Sequence, residues 1–269
     1  MNFISIDSEN CTKCGICVDV CPNGTIGMME NGPEIINNIC IECGHCVAVC
    51  PHAAIDNKKT PLAEQQEVNI PVIDADTAGK FLRSRRSIRC YREESVERNK
   101  IVELLDVARM APTAINSQGV SYHVIDDKIV LKNIIETVVS WMEELIQAKN
   151  PVGLYFKGYV DKYRKDNKDV ILRGAPGLIL ATVDKNFMPR GRDNAHFALT
   201  YAELYANTIG LGTCWAGIVQ ACFAAEYKPL LDLVNIDNDK CVAAAIMVGY
   251  PKYKFKRVVQ RKELKISWQ

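Results

Sequence analysis

Eight of the chain's twelve cysteines fall within its first fifty residues, in two matching runs. The first reads Cys11-Thr-Lys-Cys14-Gly-Ile-Cys17-Val-Asp-Val-Cys21-Pro22, the second Cys40-Ile-Glu-Cys43-Gly-His-Cys46-Val-Ala-Val-Cys50-Pro51. Both are C-x2-C-x2-C-x3-C-P. Thiolates are soft donors that suit iron–sulfur sites, and a four-iron cube needs four of them converging on its corners. Three cysteines spaced by two residues can wrap such a cluster from one tight loop. Gly15 and Gly44 are expected where a side chain would crowd that loop, and Pro22 and Pro51 where the short helix carrying the later cysteines must stop. Structural zinc typically uses two separated ligand pairs instead. Disulfides would imply export, and the opening residues lack the regions of a signal peptide. His45 and His52 lie beside these runs, as potential-tuning groups or as surface residues.

The spacing resembles that of bacterial ferredoxins with two [4Fe-4S] clusters, in which the fourth cysteine of each run serves the other cluster. The resemblance implies that Cys11, Cys14, Cys17 and Cys50 hold one cube, and Cys40, Cys43, Cys46 and Cys21 the other. Three later stretches resemble the nitroreductase family of FMN enzymes, over about residues 79–269. They are Arg85-Arg86-Ser87-Ile88-Arg89 with Tyr91, then Ala111-Pro112-Thr113-Ala114-Ile115-Asn116-Ser117-Gln118. The third is Gly210-Leu-Gly212-Thr213-Cys214-Trp215-Ala216-Gly217, followed later by Gly249-Tyr-Pro251 and a basic tail.

These residue types suit FMN. Its phosphate is a dianion that needs charge-assisted donors, which Arg85, Arg86 and Arg89 could supply with the Ser87 hydroxyl. By resemblance, basic residues near the C-terminus assist; Arg261 and Lys262 match best, with Lys256 and Arg257 as competitors. Asn116 and Gln118 carry amides able to pair with the flavin's pyrimidine edge or ribityl hydroxyls. The resemblance further implies that the loop from Pro112 through Thr113 and Ala114 to Asn116 reaches the flavin of a second subunit, hence a homodimer with interfacial FMN. Backbone N–H groups of Ala216 and Gly217 are expected at the flavin N5, with Trp215 packed nearby. No acid–base pair or nucleophilic triad stands out. Cys214 reads as a small buried thiol, and most of the other free cysteines likewise.

The elements needed to position these groups follow from patterning. Residues 1–57 form the cluster unit, with Ile4, Ile6, Ile26, Ile35, Ile36, Ile39 and Ile55 expected to cover the cubes on short strands. Residues 58–78 read as an extended linker, and 79–269 as the FMN domain. Asp76 or Thr77 is expected to cap a helix through Lys80-Phe-Leu-Arg. Helical periods run over 97–110, 128–148 and 194–209, and strand patterns over 120–125, 178–183 and 241–248. Residues 151–169 show no clear period and read as a lid or pocket rim. Mixed elements without βαβ repetition predict an α+β fold, and the absence of G-x-G-x-x-G after a strand withholds support from a Rossmann NAD site.

The 269 residues are 48% hydrophobic and 24% charged, with net charge +1, which gives no reason to expect nucleic acid or an acidic membrane as partner. A cytoplasmic, reducing compartment fits the free thiols. The expected function is that of an FMN-dependent, nitroreductase-like oxidoreductase. It would receive low-potential electrons through two clusters and reduce nitroaromatic, quinone or similar electron-poor acceptors. Reduced ferredoxin-type proteins and NAD(P)H both stand as donors. The alternatives are a redox relay or sensor without its own turnover, and a specialised flavin reductase or reductive dehalogenase.

Overall fold

The computed structural model describes residues 3–67 and 71–269, so residues 68–70 of the expected linker lie outside the described residues. The chain divides into two units. One holds the described residues up to Val72 together with Ile115–Ser117; the other holds Ile73–Ala114 and Gln118–Gln269.

The first unit runs β1 (Ile4–Ile6), α1 (Ile16–Asp19), β2 (Ile26–Met29), β3 (Gly32–Ile35), α2 (His45–Ala48) and β4 (Ile55–Asn57). β1 pairs antiparallel with β4, and β2 with β3. Gly15 and Gly44 cap α1 and α2 in the left-handed region, at φ 83° and 70°. A Cβ on Gly15 would meet nothing nearer than the tip of Met28, 3.9 Å away. Backbone conformation, rather than the expected crowding, is therefore what calls for glycine there. Ile4, Ile26, Val47 and Ile55 form a small core with Cys46. Ile36 and Ile39 do not join it; they lie past the end of β3 and are 52% and 58% exposed. So few apolar side chains cannot hold such a unit alone, and groups bound by its thiols must complete it.

The second unit runs α3 (Ala75–Ser84), α4 (Arg98–Ala108), β5 (Ser121–Ile125), α5 (Lys128–Gln147), α6 (Pro151–Asp166), β6 (Gly177–Asp184), α7 (Arg190–Ala206), β7 (Gly212–Trp215), α8 (Gly217–Ala224), α9 (Lys228–Val234) and β8 (Lys240–Gly249). Its sheet has the order β5-β6-β8-β7, with every neighbouring pair antiparallel. Successive side chains of β6 enter opposite layers. Leu178 and Leu180 pack with Ile134, Met142 and Phe156 of α5 and α6. Ile179, Ala181 and Val183 pack with Leu104 of α4 and Leu199 of α7. Helices thus cover both faces of an antiparallel sheet, which makes the fold α+β and leaves the central strands apolar throughout.

Two local expectations are corrected. Asp74 caps α3, accepting the Thr77 N–H at 2.9 Å, so the helix begins before Asp76. Residues 151–166 are helix, not an irregular rim. Asn150 caps α6, accepting from Val152 N, and Pro151 opens it, while Gly153, Phe156 and Val160 supply its buried stripe.

The separated motifs meet at one end of the sheet. Ile88 N–H donates to Thr213 O at 2.8 Å, and Arg92 N–H to Tyr250 O at 2.9 Å. Tyr91 bridges to Pro251. Gly212 permits this approach, since a Cβ there would stand 2.4 Å from Ile88 Cγ1. Gly212→Ala is expected to lose about 1–3 kcal/mol to overpacking. The check is a lower urea midpoint with an unchanged m-value; an unchanged midpoint would show that the segment can give way.

Candidate cofactor sites

In the first unit the structure gathers Cys11, Cys14, Cys17 and Cys50 around one hollow. Cys21, Cys40, Cys43 and Cys46 line a second. Each set draws its fourth thiol from the other run because α1 and α2 turn Cys21 and Cys50 away from their own loops. Backbone donors serve the sulfurs: Thr25 N–H reaches Cys21 Sγ at 3.2 Å, and Ala54 N–H reaches Cys50 Sγ at 3.3 Å. The equal four-residue offset reflects the repeat. Buried Asn57 adds a contact to Cys40 Sγ at 3.9 Å. Burial pushes the Cys46 thiol up to about 11, with the Val47 N–H pulling the other way. Holding such thiols together as thiolates requires positive charge among them, which iron supplies. The donor set fits iron–sulfur clusters. His45 and His52 are both exposed.

In the second unit the arginine motif lies against β7. Arg86 Nη1 donates to Arg85 O at 3.2 Å, while its Nε and Nη2 are buried with no hydrogen-bond partner. The buried Tyr91 hydroxyl is likewise unpartnered. Buried guanidinium donors are seldom left unmet, so these atoms await an anion. Arg85 stands differently, with its Nη1 3.4 Å from Glu203 Oε1. Ser87 is half-buried beside the Cys214 thiol, and Arg89 is exposed. Cys214 is itself 5% exposed, and burial raises its thiol against the opposing charges of Arg89 and Arg173. It is a packed thiol.

The other expected flavin residues divide. Trp215 Nε1 donates to Glu203 Oε2 at 2.7 Å, and its ring stacks on His196 with centroids 5.0 Å apart. Ala216 N–H bonds to Ala245 O at 2.9 Å and so is spent on the sheet. That corrects the expectation that it faces N5. Gly217 opens α8, where first-turn N–H groups have no intrahelical acceptor. Pro112 is exposed, Thr113 Oγ1 accepts from Gln118 N–H at 3.1 Å, and Ala114 N–H donates to Asn194 Oδ1 at 2.9 Å. Gln118 is exposed with φ 47°. Asn116 belongs to the first unit, where its amide donates to Ile41 O and Glu42 O at 3.0 and 2.9 Å. Its Nδ2 is thereby committed to backbone carbonyls, while Oδ1 takes no part in these bonds. Arg261 and Lys262, with Lys256 and Arg257, are exposed in a segment without regular structure.

Residues 82–250 match the model described as the Nitroreductase family. The chain belongs to that family. Residues 10–55 match the model of the 4Fe-4S dicluster domain. The nitroreductase domain is 26% identical over 180 residues to an FMN reductase (NAD(P)H) of Bacillus subtilis (strain 168), a match covering 64% of this chain and 65% of that protein. It is 25% identical over 173 residues to a putative NADH dehydrogenase/NAD(P)H nitroreductase of Archaeoglobus fulgidus, covering 64% and 84%. Its fold matches the crystal structure of a nitroreductase with bound FMN from Desulfitobacterium hafniense DCB-2. That match has TM-score 0.58 and 15% identity, covering 71% of this chain and 96% of that one. The unmet Arg86 donors fit an FMN phosphate, as the thiol quartets fit cubes.

Glu203, Arg173 and His196 escaped the sequence reading. Glu203 is 5% exposed and accepts from Trp215, from Thr213 Oγ1 at 3.3 Å and from Arg85. It therefore holds both Trp215 and the start of the arginine motif. The readable signal was an acid at a core position of the apolar α7. Glu203→Leu leaves a half-buried arginine and a half-buried indole N–H unmet, and is expected to cost about 3–5 kcal/mol. Denaturant unfolding against Glu203→Gln, which keeps an acceptor for Trp215, checks this; equal stability of the two variants would contradict it.

Proposed function

We propose that the protein is an FMN-dependent reductase that takes in electrons through two [4Fe-4S] clusters and delivers them to nitroaromatic, quinone or similar electron-poor acceptors. The observation that carries this reading is the pairing, in one chain, of two four-thiol sets with an arginine, Arg86, whose buried Nε and Nη2 are unmet. Bound FMN supplies the conversion between single-electron and two-electron transfer. The chain's own residues do the rest. Arg86, Arg89 and Ser87 hold the phosphate, Arg85 is kept in place by Glu203, and Trp215 walls the site while α8 presents the Gly217 N–H. Cys11, Cys14, Cys17 and Cys50 hold one cluster, and Cys21, Cys40, Cys43 and Cys46 the other. Carrying donor and acceptor groups on one chain replaces diffusional encounter with a high effective concentration.

The domains run over 1–57 and 79–269, with 58–78 between them. NAD(P)H, named for both curated relatives, and a reduced ferredoxin-type protein are the candidate donors. A homodimer is supported by apolar side chains left exposed beyond β8, among them Phe255 at 61%, Leu264 at 84% and Trp268 at 87%. In that assembly Arg261 and Lys262 reach a phosphate. No described helix is long and apolar enough to cross a membrane.

Turnover tests the reading. Protein mixed anaerobically with nitrobenzene or a benzoquinone and an excess of a reduced low-potential donor should reduce many equivalents of the acceptor per chain. A single reoxidation without multiple turnover of any acceptor would favour the relay.

A further inference from the structure

We propose that Tyr155, Tyr159, Lys162, Lys168 and Arg173 form a pocket for the ring and carboxylate of an anionic aromatic acceptor. This deepens the reductase reading and rests on it. The cavity measures about 330 Å³, within the range of small-molecule sites. One wall is α6, where Tyr155, Tyr159 and Lys162 share a face at helical spacing. Gly158 lies among them and keeps the wall open, since a Cβ there would meet nothing within 4 Å. The two tyrosine rings stand 5.9 Å apart at 39°, a surface against which a flat ring can pack.

The opposite wall is the turn after α6. Asp169 accepts from Ile171 and Leu172 N–H at 2.9 Å and from Gly174 N–H at 2.7 Å, so its charge is spent on the turn. The turn holds Arg173 at φ 57°. A non-glycine residue in that region costs free energy that the surroundings must impose.

The charges separate the pocket from the rest of the helix. Lys157 and Lys165 both pair with Asp161, and Arg164 pairs with Glu136 and Glu143. Among the described residues Lys162, Lys168 and Arg173 form no ion pair, and no acid lines the cavity. Three cations without a carboxylate beside two tyrosines select an aromatic anion over its neutral analogue. The Arg173 charge also acts on Tyr91 and Cys214, beside the arginine motif.

The test compares wild-type holoprotein with a Lys162→Gln/Lys168→Gln double variant in three measurements. The first is kcat/KM for 4-nitrobenzoate and nitrobenzene. The second is calorimetric binding of benzoate and benzamide, neither of which is reduced. The third is flavin content. The ratio of kcat/KM for nitrobenzoate over nitrobenzene is expected to fall about tenfold, through KM, with Lys162→Arg/Lys168→Arg restoring it. Benzoate binding should weaken in step. If wild type reduces neither nitro compound, the reductase reading fails, and a benzoate preference lost in the variant still upholds the pocket. Equal effects on both members of each pair would overturn the proposal. So would loss of flavin, which assigns the cations to the cofactor, or a raised KM for NADPH alone, which assigns them to a nucleotide phosphate.

Discussion

Arg86→Gln protein is expected to purify with its iron–sulfur complement intact and almost no flavin. Arg86 is fixed by the Ile88–Thr213 backbone bond two residues on, and its Nε and Nη2 are buried without a partner. A phosphate dianion would satisfy both, and hydrogen bonds to charged groups contribute about 1.5–3 kcal/mol each. Losing two of them weakens flavin binding by about two orders of magnitude or more. Arg85→Gln should do less to the flavin, because Arg85 already has Glu203 at 3.4 Å. The measurement is flavin released per chain after denaturation, with equilibrium titration of FMN into apoprotein. Equal losses in the two variants would mean that the arginines act as a diffuse charge and that the unmet donors are incidental.

Cys50→Ala should remove the cluster bound by the first cysteine run, although Cys50 stands at the end of the second. Cys50 shares a hollow with Cys11, Cys14 and Cys17. Iron per chain is therefore expected to fall to about half, with one [4Fe-4S] signal surviving in paramagnetic resonance of the reduced protein. A second replacement separates crossed from uncrossed ligation. Adding Cys17→Ala to Cys50→Ala should cost no further cluster, whereas adding Cys46→Ala should remove the remaining one. The opposite pattern would show each run serving its own cluster. Loss of both clusters should also unfold the first unit, whose own core is little more than Ile4, Ile26, Val47 and Ile55, while the sheet unit keeps its own transition.

Much of this was legible because spacing and chemistry coincide in it. Evenly spaced cysteines ending in Cys-Pro admit few other uses, and the long periods of α5 and α7 made those helices readable. The α+β class followed from mixed elements without βαβ repetition, and the antiparallel order β5-β6-β8-β7 is its structural cause. Other features escaped for physical reasons. The stripe of α6 is only Gly153, Phe156 and Val160, and exposed Leu154 and Tyr155 blur its period, although Asn150-Pro151 was a readable start. The glycines of the cluster loops were legible as glycines; at Gly15 the reason is a left-handed cap, and at Gly44 the cap is joined by the close approach of Gln65 and Thr60. Ala216 N–H looked free until β8 supplied Ala245 O. Glu203 meets Arg85 across 118 positions of sequence, and such partners leave no local trace.

The central claim is that the clusters are the entrance for electrons. Its most direct test is anaerobic stopped-flow absorbance during reduction by a low-potential ferredoxin-type donor, comparing wild type with a Cys14→Ala/Cys43→Ala variant that loses one ligand from each quartet. NADH and NADPH are run in parallel. In wild type the iron–sulfur absorbance should bleach first and the flavin peaks follow. In the variant, flavin reduction by the same donor should slow by about tenfold or more, on the effective-concentration argument. Flavin in the variant bleaching as fast as in wild type would contradict the account, and would make the flavin the entrance and the clusters an outlet.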